Sequence, residues 1–337
     1  MKRPILTLSL LMACWCLALA QQKPQYTQYM FNNYLLNPAV SGIENYTDMR
    51  AGYRSQWTGL EGAPVTSYLS VNMPLGDRFL YGDPMSMQGE NQNPLSRLAT
   101  QDYMAAEPHH GVGIIAMTDR AGPINQTSIN GTYAYHLGLT SKLNLSVGVS
   151  AGINRITLDV SQVKLENPDD PAIYNGNNSQ YRPDVGMGVW AYSGQYYFGV
   201  SVQQLIKQTI TFGDRSVYNQ GKTVPHYFFT GGVKVFLDDD ITLLPSALFK
   251  LVSPAPASFD INLKLAFSNK FWVGGSYRHN DAKSAMLGLN LSKVINLGYA
   301  YDFTSSNLRT VSNGTHEIVL AILFNNRYNV SSAQRSW

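Results

Sequence analysis

The 337-residue sequence is short of charge: Asp, Glu, Lys and Arg make up 14% of it, against about 25% in an ordinary soluble domain. It also lacks long apolar runs, since beyond the N-terminal segment no window offers the ~18 consecutive apolar residues of a transmembrane helix. Low charge without such runs argues against both a helical membrane protein and a soluble enzyme. A transmembrane β-barrel fits both absences, because each strand shows lipid only every second residue.

Cysteine is nearly absent. Cys14 and Cys16 fall within the first 20 residues, where a basic start (Lys2, Arg3), an apolar stretch from Ile5 to Leu19 and the site Ala18-Leu19-Ala20 read as a secretory signal peptide over 1–20. Cleavage after Ala20 leaves no thiol, and so no disulfide, cysteine nucleophile or cysteine ligand. It also lowers the formal net charge of +3 by two, to +1, which gives no electrostatic case for nucleic acid. A rival processing site, Leu11-Met12-Ala13-Cys14, is lipobox-like and would make Cys14 an acylated N-terminus instead.

What the chain does contain is alternation. Thr47 to Trp57 places Met49, Ala51, Tyr53 and Trp57 on one face and Asp48, Arg50, Arg54 and Gln56 on the other. Pro64 to Met73 answers it, with Val65, Leu69, Val71 and Met73 opposite Thr66, Tyr68, Ser70 and Asn72. Lipid-facing arginine costs about 2–4 kcal/mol at midplane, so Arg50 and Arg54 are expected in a lumen, with carboxamide and carbonyl partners.

Further runs of period 2 follow: Gly111 to Met117, Thr127 to Leu137, Leu143 to Ile153, Val185 to Tyr192, Tyr196 to Leu205, Pro225 to Phe236 and Ile241 to Leu251. The rest are Phe259 to Phe267, Phe271 to Tyr277, Ala282 to Leu291, Ile295 to Phe303 and His316 to Phe324. The pattern predicts an all-β fold, an outer-membrane barrel of about 14 antiparallel strands over 46–325 with a tail over 326–337. Short turns at Ser193-Gly194, Asp238 to Asp240 and Ser268 to Lys270, with mostly longer loops opposite, place both termini in the periplasm. The long connection Leu75 to His110 then lies there too, a candidate contact for a periplasmic partner. Tyr196, Tyr197, Tyr227, Phe228, Phe271, Trp272, Tyr299 and Tyr301 are expected to form interface girdles. A soluble β-sandwich shares the alternation but not the low charge.

Before the first strand, residues 21–45 hold PQYTQYMFNNYLLNPAVSG (Pro24 to Gly42), with Tyr26, Tyr29, Met30, Phe31, Tyr34, Leu35 and Leu36 within eleven residues. Pro38 pushes Asn37 out of the α region, so a helical turn should end there. A segment too short to span a bilayer yet this apolar needs burial, and the barrel lumen is its natural host as a plug. An ordinary periplasmic tail or an extra strand is the plainer alternative.

That stretch, with RAGYRSQW at Arg50 to Trp57 and GAPVTSYLSVNMPL at Gly62 to Leu75, resembles the N-terminal signature of the PorP/SprF family. Weaker echoes are YAYHL (Tyr133 to Leu137) and THEIVLAILF (Thr315 to Phe324). The residues matching the pattern are Gln28, Tyr29, Met30, Phe31, Asn32, Asn37, Pro38, Arg54, Gln56 and Trp57, and these, with Arg50, are the expected plug-seating set. The resemblance implies an outer-membrane component of type IX secretion or gliding. It also implies partners: either periplasmic ring lipoproteins and a peptidoglycan-binding component, or a large secreted surface adhesin.

Chemistry is sparse. The six histidines are scattered, and His109-His110, adjacent on a strand, point to opposite faces and cannot share a metal. Asp169-Asp170 and Asp238 to Asp240 lack the Asp/Asn-x-Asp/Asn-Gly loop of a calcium site. No nucleophile elbow, phosphate loop or paired-carboxylate signature appears. The reading is therefore non-enzymatic, without cofactor or metal, in contact with outer-membrane lipid. The alternative is a plugged channel for small or hydrophobic solutes, with the N-terminal stretch as hatch.

Overall fold

The computed structural model describes residues 27–76, 95–101, 103–162, 179–210, 221–268 and 270–326. The signal peptide, the Cys14 motif, the start of the plug and most of the C-terminal tail lie outside the described residues.

Fourteen antiparallel strands close into one barrel. They are β1 (Thr47–Ser55), β2 (Val65–Leu75), β3 (His109–Ala121), β4 (Ile124–Thr140), β5 (Leu143–Leu158), β6 (Ser179–Tyr192) and β7 (Tyr196–Gln203). Then come β8 (His226–Val233, continued by Val235–Phe236), β9 (Ile241–Val252), β10 (Ser258–Phe267), β11 (Phe271–Arg278), β12 (Ala282–Asn290), β13 (Ile295–Thr304) and β14 (Thr315–Phe324). Each strand pairs with its sequence neighbours, and β1 closes the ring on β14, with Arg54 opposite Glu317. Closure removes the unpaired edges that a flat sheet of this size would expose.

All fourteen expected runs are strands. One expectation needs correcting: Tyr197, Phe228 and Trp272 are not girdle residues. They are buried inside the barrel at 3%, 6% and 5% exposure, whereas their neighbours Tyr196, Tyr227 and Phe271 face out at 40–50%. The period of 2 forces this, since two adjacent aromatics cannot share a face.

The rim where β1 starts carries tight turns after β4, β6, β8, β10 and β12. One longer connection, between β2 and β3, also belongs to this rim. Its described parts, 95–101 and 103–108, include helix α1 (Arg97–Gln101) and lie across the barrel mouth. The Leu95 carbonyl accepts from Thr242 Oγ1 at 2.7 Å, Tyr103 accepts from Asn144 Nδ2 at 2.7 Å, and the Ala105 amide donates to Ser141 at 2.8 Å. The connections on the opposite rim are mostly longer, with tight turns at Gly122-Pro123 and after β11.

Candidate functional site: the plugged lumen

The site is built where the chain enters the barrel. Thr27 to Tyr46 forms three 3-10 turns, Thr27–Met30, Asn33–Leu35 and Pro38–Val40, and its apolar side chains join the wall residues in one core. Tyr29 and Tyr34 are 1% exposed, Leu35 5% and Val40 0%. Burying such side chains contributes about 1.5–3 kcal/mol apiece.

Short 3-10 turns leave most backbone carbonyls unpaired, and in a closed lumen each needs a partner. The wall supplies them. Ser201 Oγ donates to the Leu36 carbonyl at 2.6 Å, Gln203 Nε2 to Leu35 at 2.9 Å, and Ser146 Oγ to Ala39 at 2.7 Å. The Tyr34 hydroxyl bonds Thr132 Oγ1 at 2.6 Å, and burial pushes its pKa up to about 12, so it stays neutral. Burial likewise holds Tyr29 well above the ordinary tyrosine range, and its hydroxyl accepts from Asn262 Nδ2 on β10.

Asn37 is the joint of the plug. Its backbone is extended (φ −138°, ψ 115°), as a residue before proline prefers. Its Oδ1 accepts from the Ala39 amide at 2.9 Å, capping the turn that Pro38 begins. Its Nδ2 donates to the carbonyls of Val189 on β6 and Val200 on β7, at 3.0 and 3.3 Å. Asn37→Ala removes the cap and both wall bonds; we expect a loss of about 2–3 kcal/mol, read as a lower urea midpoint for the folded band in lipid or detergent. A change below about 0.5 kcal/mol would contradict this role.

The plug's first described residue meets a buried ionic cluster. Arg54 Nη1 donates to Glu317 Oε2 at 2.8 Å and to Thr27 Oγ1 at 2.7 Å, while Nη2 donates to Asp302 Oδ2 at 2.9 Å. Thr27 in turn donates its amide to Glu317 at 2.8 Å and its hydroxyl to Asp302 at 2.6 Å. The expected partners of Arg50 and Arg54 were carboxamides and carbonyls; the observed ones are carboxylates. Arg50 pairs with Asp48 at 2.7 Å and sits 4.9 Å over the Phe31 ring, which also meets Trp272 at 6.0 Å. A full cationic charge in a confined lumen needs a full anionic partner.

Of the other motif residues, Asn32 donates to Ser70 Oγ at 3.0 Å, and Met30 is buried in the shared core. The Gln28 side chain lies outside the described residues. Gln56 and Trp57 sit apart from the plug in the turn after β1, where the Gln56 amide donates to Pro64 and the Trp57 amide to Thr315 Oγ1.

Sequence reasoning missed a clasp at the other end of the plug. His109 and His136 stack face to face, 4.5 Å apart. The two Nε2 atoms reach consecutive plug carbonyls: His136 to Ser41 at 2.8 Å and His109 to Gly42 at 3.1 Å. The signal was available. A two-residue turn at Gly122-Pro123 pairs each β3 residue with the β4 residue equally far from the turn, and that register sets His109 opposite His136. Among the described residues, no group of three or more His, Cys, Asp or Glu could hold a metal ion.

The description "Type IX secretion system membrane protein PorP/SprF" belongs to the family model that matches residues 18–322. The chain is a member of the PorP/SprF family. That membership covers the plug and nearly the whole barrel, and makes the protein a barrel component of the type IX secretion system in the outer membrane. No curated protein matches it. Solved barrels similar in fold include the toluene transporter TbuX of Ralstonia pickettii (12% identity, 88% of this chain and 93% of that one, TM-score 0.48). Others are a Pseudomonas aeruginosa FadL homologue (10%, 90% and 95%, 0.49) and Omp33 of Acinetobacter baumannii (7%, 84% and 100%, 0.47).

Proposed function

We propose that this PorP/SprF member is a closed outer-membrane scaffold that docks periplasmic components of the type IX machinery on the rim of tight turns. The observation that carries this reading is the plug. Its carbonyls, aromatic rings and first threonine are tied to β1, β4 to β7, β10, β13 and β14, an arrangement suited to a fixed core. In this reading Tyr29, Phe31, Asn32, Asn37, Pro38, Arg50 and Arg54 seat the plug, and the tight-turn rim faces the periplasm.

That rim offers a groove of about 710 Å³, lined among others by Arg97, Gln101, Tyr103, Lys142, Tyr196 and Phe236 and, among the described residues, by no acidic side chain. Such a basic and aromatic lining suits an acidic segment of a periplasmic ring lipoprotein or of the peptidoglycan-binding component. Mild-detergent pull-down of the tagged protein from outer membranes should recover those components. The double substitution Arg97→Glu with Lys142→Glu should cut the yield at least about tenfold, because like charges set against each other cost several kcal/mol. Recovery of one very large surface protein would reassign the scaffold to adhesin attachment, and recovery of the barrel alone would reject it.

A further inference from the structure

The charges on the barrel wall are sorted by face. Every acidic side chain on the fourteen strands, namely Asp48, Asp119, Asp184, Asp260, Asp302 and Glu317, points into the lumen. The strand cations that point outward are Arg120, Arg155 and Lys283, all at the rim of longer loops. The lumenal arginines Arg50, Arg54 and Arg278 are ion-paired with the lumenal carboxylates Asp48, Asp302, Glu317 and Asp260. The outward arginines make no ion pair among the described residues: Arg120 donates to Asn125 Oδ1 at 3.1 Å, and Arg155 donates to Ser179 Oγ at 2.8 Å and lies 5.5 Å over the Tyr181 ring. The acidic side chain beside Arg120 is Asp159. Its two carboxylate oxygens are taken by the Ser161 amide and hydroxyl and by Gln162 Nε2.

Arg120 and Arg155 stand on the wall made by β3 to β6, which are 13, 17, 16 and 14 residues long. About 9–11 residues suffice to span a bilayer, so these four strands outreach the hydrocarbon. The outward face changes character along one line across them. Ala116, Ile129, Ile153 and Pro183 are aligned by the pairing, and the next outward row is Thr118, Thr127, Arg155 and Tyr181. One row further on, Arg120 is aligned with Asn125, Thr157 and Ser179. From strand spacing and rise, the two arginine Cα atoms are about 12 Å apart, within reach of one group held between their guanidiniums.

We infer that Arg120 and Arg155, with Tyr181 and Asn125, form a site for the phosphate of a membrane-lipid headgroup on the outside of the barrel. The occupant follows from the belt below. Ile129, Ile153 and Val149 are 50–57% exposed and are covered by acyl chains in the membrane, and a lipid lying there sets its headgroup against the next two rows. Guanidinium forks match phosphate oxygens bidentately. With the tight turns in the periplasm, as proposed above, this lipid belongs to the outer leaflet, so a phosphorylated glycolipid is the occupant.

The test uses full-length purified protein in neutral detergent, titrated with diphosphoryl lipid A and separately with the dephosphorylated glycolipid, with bound lipid counted by native mass spectrometry. The phosphorylated form should bind at least about tenfold more tightly. The Arg120→Gln, Arg155→Gln pair should erase that preference, and Arg309→Gln, which removes a cation from the same rim, should retain it. Equal affinity of wild-type protein for the two lipids would overturn the site without recourse to any variant. So would an unchanged double variant, or an equal loss in Arg309→Gln. A pull-down that rejects the scaffold reading leaves these outcomes untouched.

Discussion

Replacing Arg54 with Met is expected to destabilise the folded barrel by about 3–5 kcal/mol, the usual cost of removing one partner from a buried ion cluster. The substitution leaves Asp302 and Glu317, both under 4% exposed on their side chains, facing each other and the Thr27 hydroxyl with no cation bridging the two. Only Asp302 keeps a second arginine, Arg278, acting on it. Arg54→Lys should recover part of the loss. One ammonium can meet one carboxylate, whereas the guanidinium fork spans both and still reaches the plug.

The cluster also couples two events that are separate in the sequence. Arg54 and Glu317 face each other across the β1–β14 seam, so the same bonds that close the ring also hold the first turn of the plug. Combining Arg54→Met with Glu317→Gln and Asp302→Asn should therefore be less damaging than Arg54→Met alone, since the stranded charges are gone. Urea titration of the folded band for these variants gives the coupling directly. A midpoint for Arg54→Met within 1 kcal/mol of wild type would refute the cluster as the anchor of the seam.

How much of this was legible in the sequence follows from what each feature depends on. Lipid filters one face of every strand, so the fourteen runs could be read locally, and so could the inward direction of Arg50 and Arg54. Two expectations failed, one against a local signature and one for want of any. The girdle assignment placed adjacent aromatics such as Tyr196 and Tyr197 on one face, against the period that had identified the strand. The partners of Arg54 lie in β13 and β14, more than 240 residues away, and nothing in a single strand fixes the register across a seam. The His109–His136 clasp lies between these cases: the tight turn at Gly122-Pro123 determines it, but only once that turn is known to hold two residues. The plug was recognisable because so much apolar surface in so short a segment demands burial. Its wall partners, Ser146, Ser201 and Gln203, are ordinary strand residues until the Leu35, Leu36 and Ala39 carbonyls are set against them.

Whether the plug is a fixed core or a hatch is decided at Gly148. This residue and its cross-strand partner Gly188 form a notch in which the Asn37-Pro38-Ala39 turn lies directly on the wall. A Cβ at Gly148 would stand 2.5 Å from both the Ala39 Cα and the Pro38 carbonyl carbon, and those are backbone atoms that cannot swing aside. Gly148→Val must therefore lift the turn, breaking the Ser146 bond to Ala39 and the Asn37 bonds to Val189 and Val200. Losing several hydrogen bonds at about 1 kcal/mol each, together with the overpacking itself at about 1–3 kcal/mol, should leave the plug largely undocked while the outer face of β5 is unchanged. In planar bilayers the wild-type protein should be silent. Gly148→Val, and a chain shortened by deletion of 21–42, should show discrete open events, because a fourteen-stranded barrel without its plug has an unfilled lumen. Frequent openings in the wild-type protein, increased only modestly by either change, would mean that the plug leaves its seat unaided and that the barrel works as a channel. Silence in all three would show that other elements also close the lumen, and the segment Leu95 to Pro108 across the tight-turn mouth is then the next to remove.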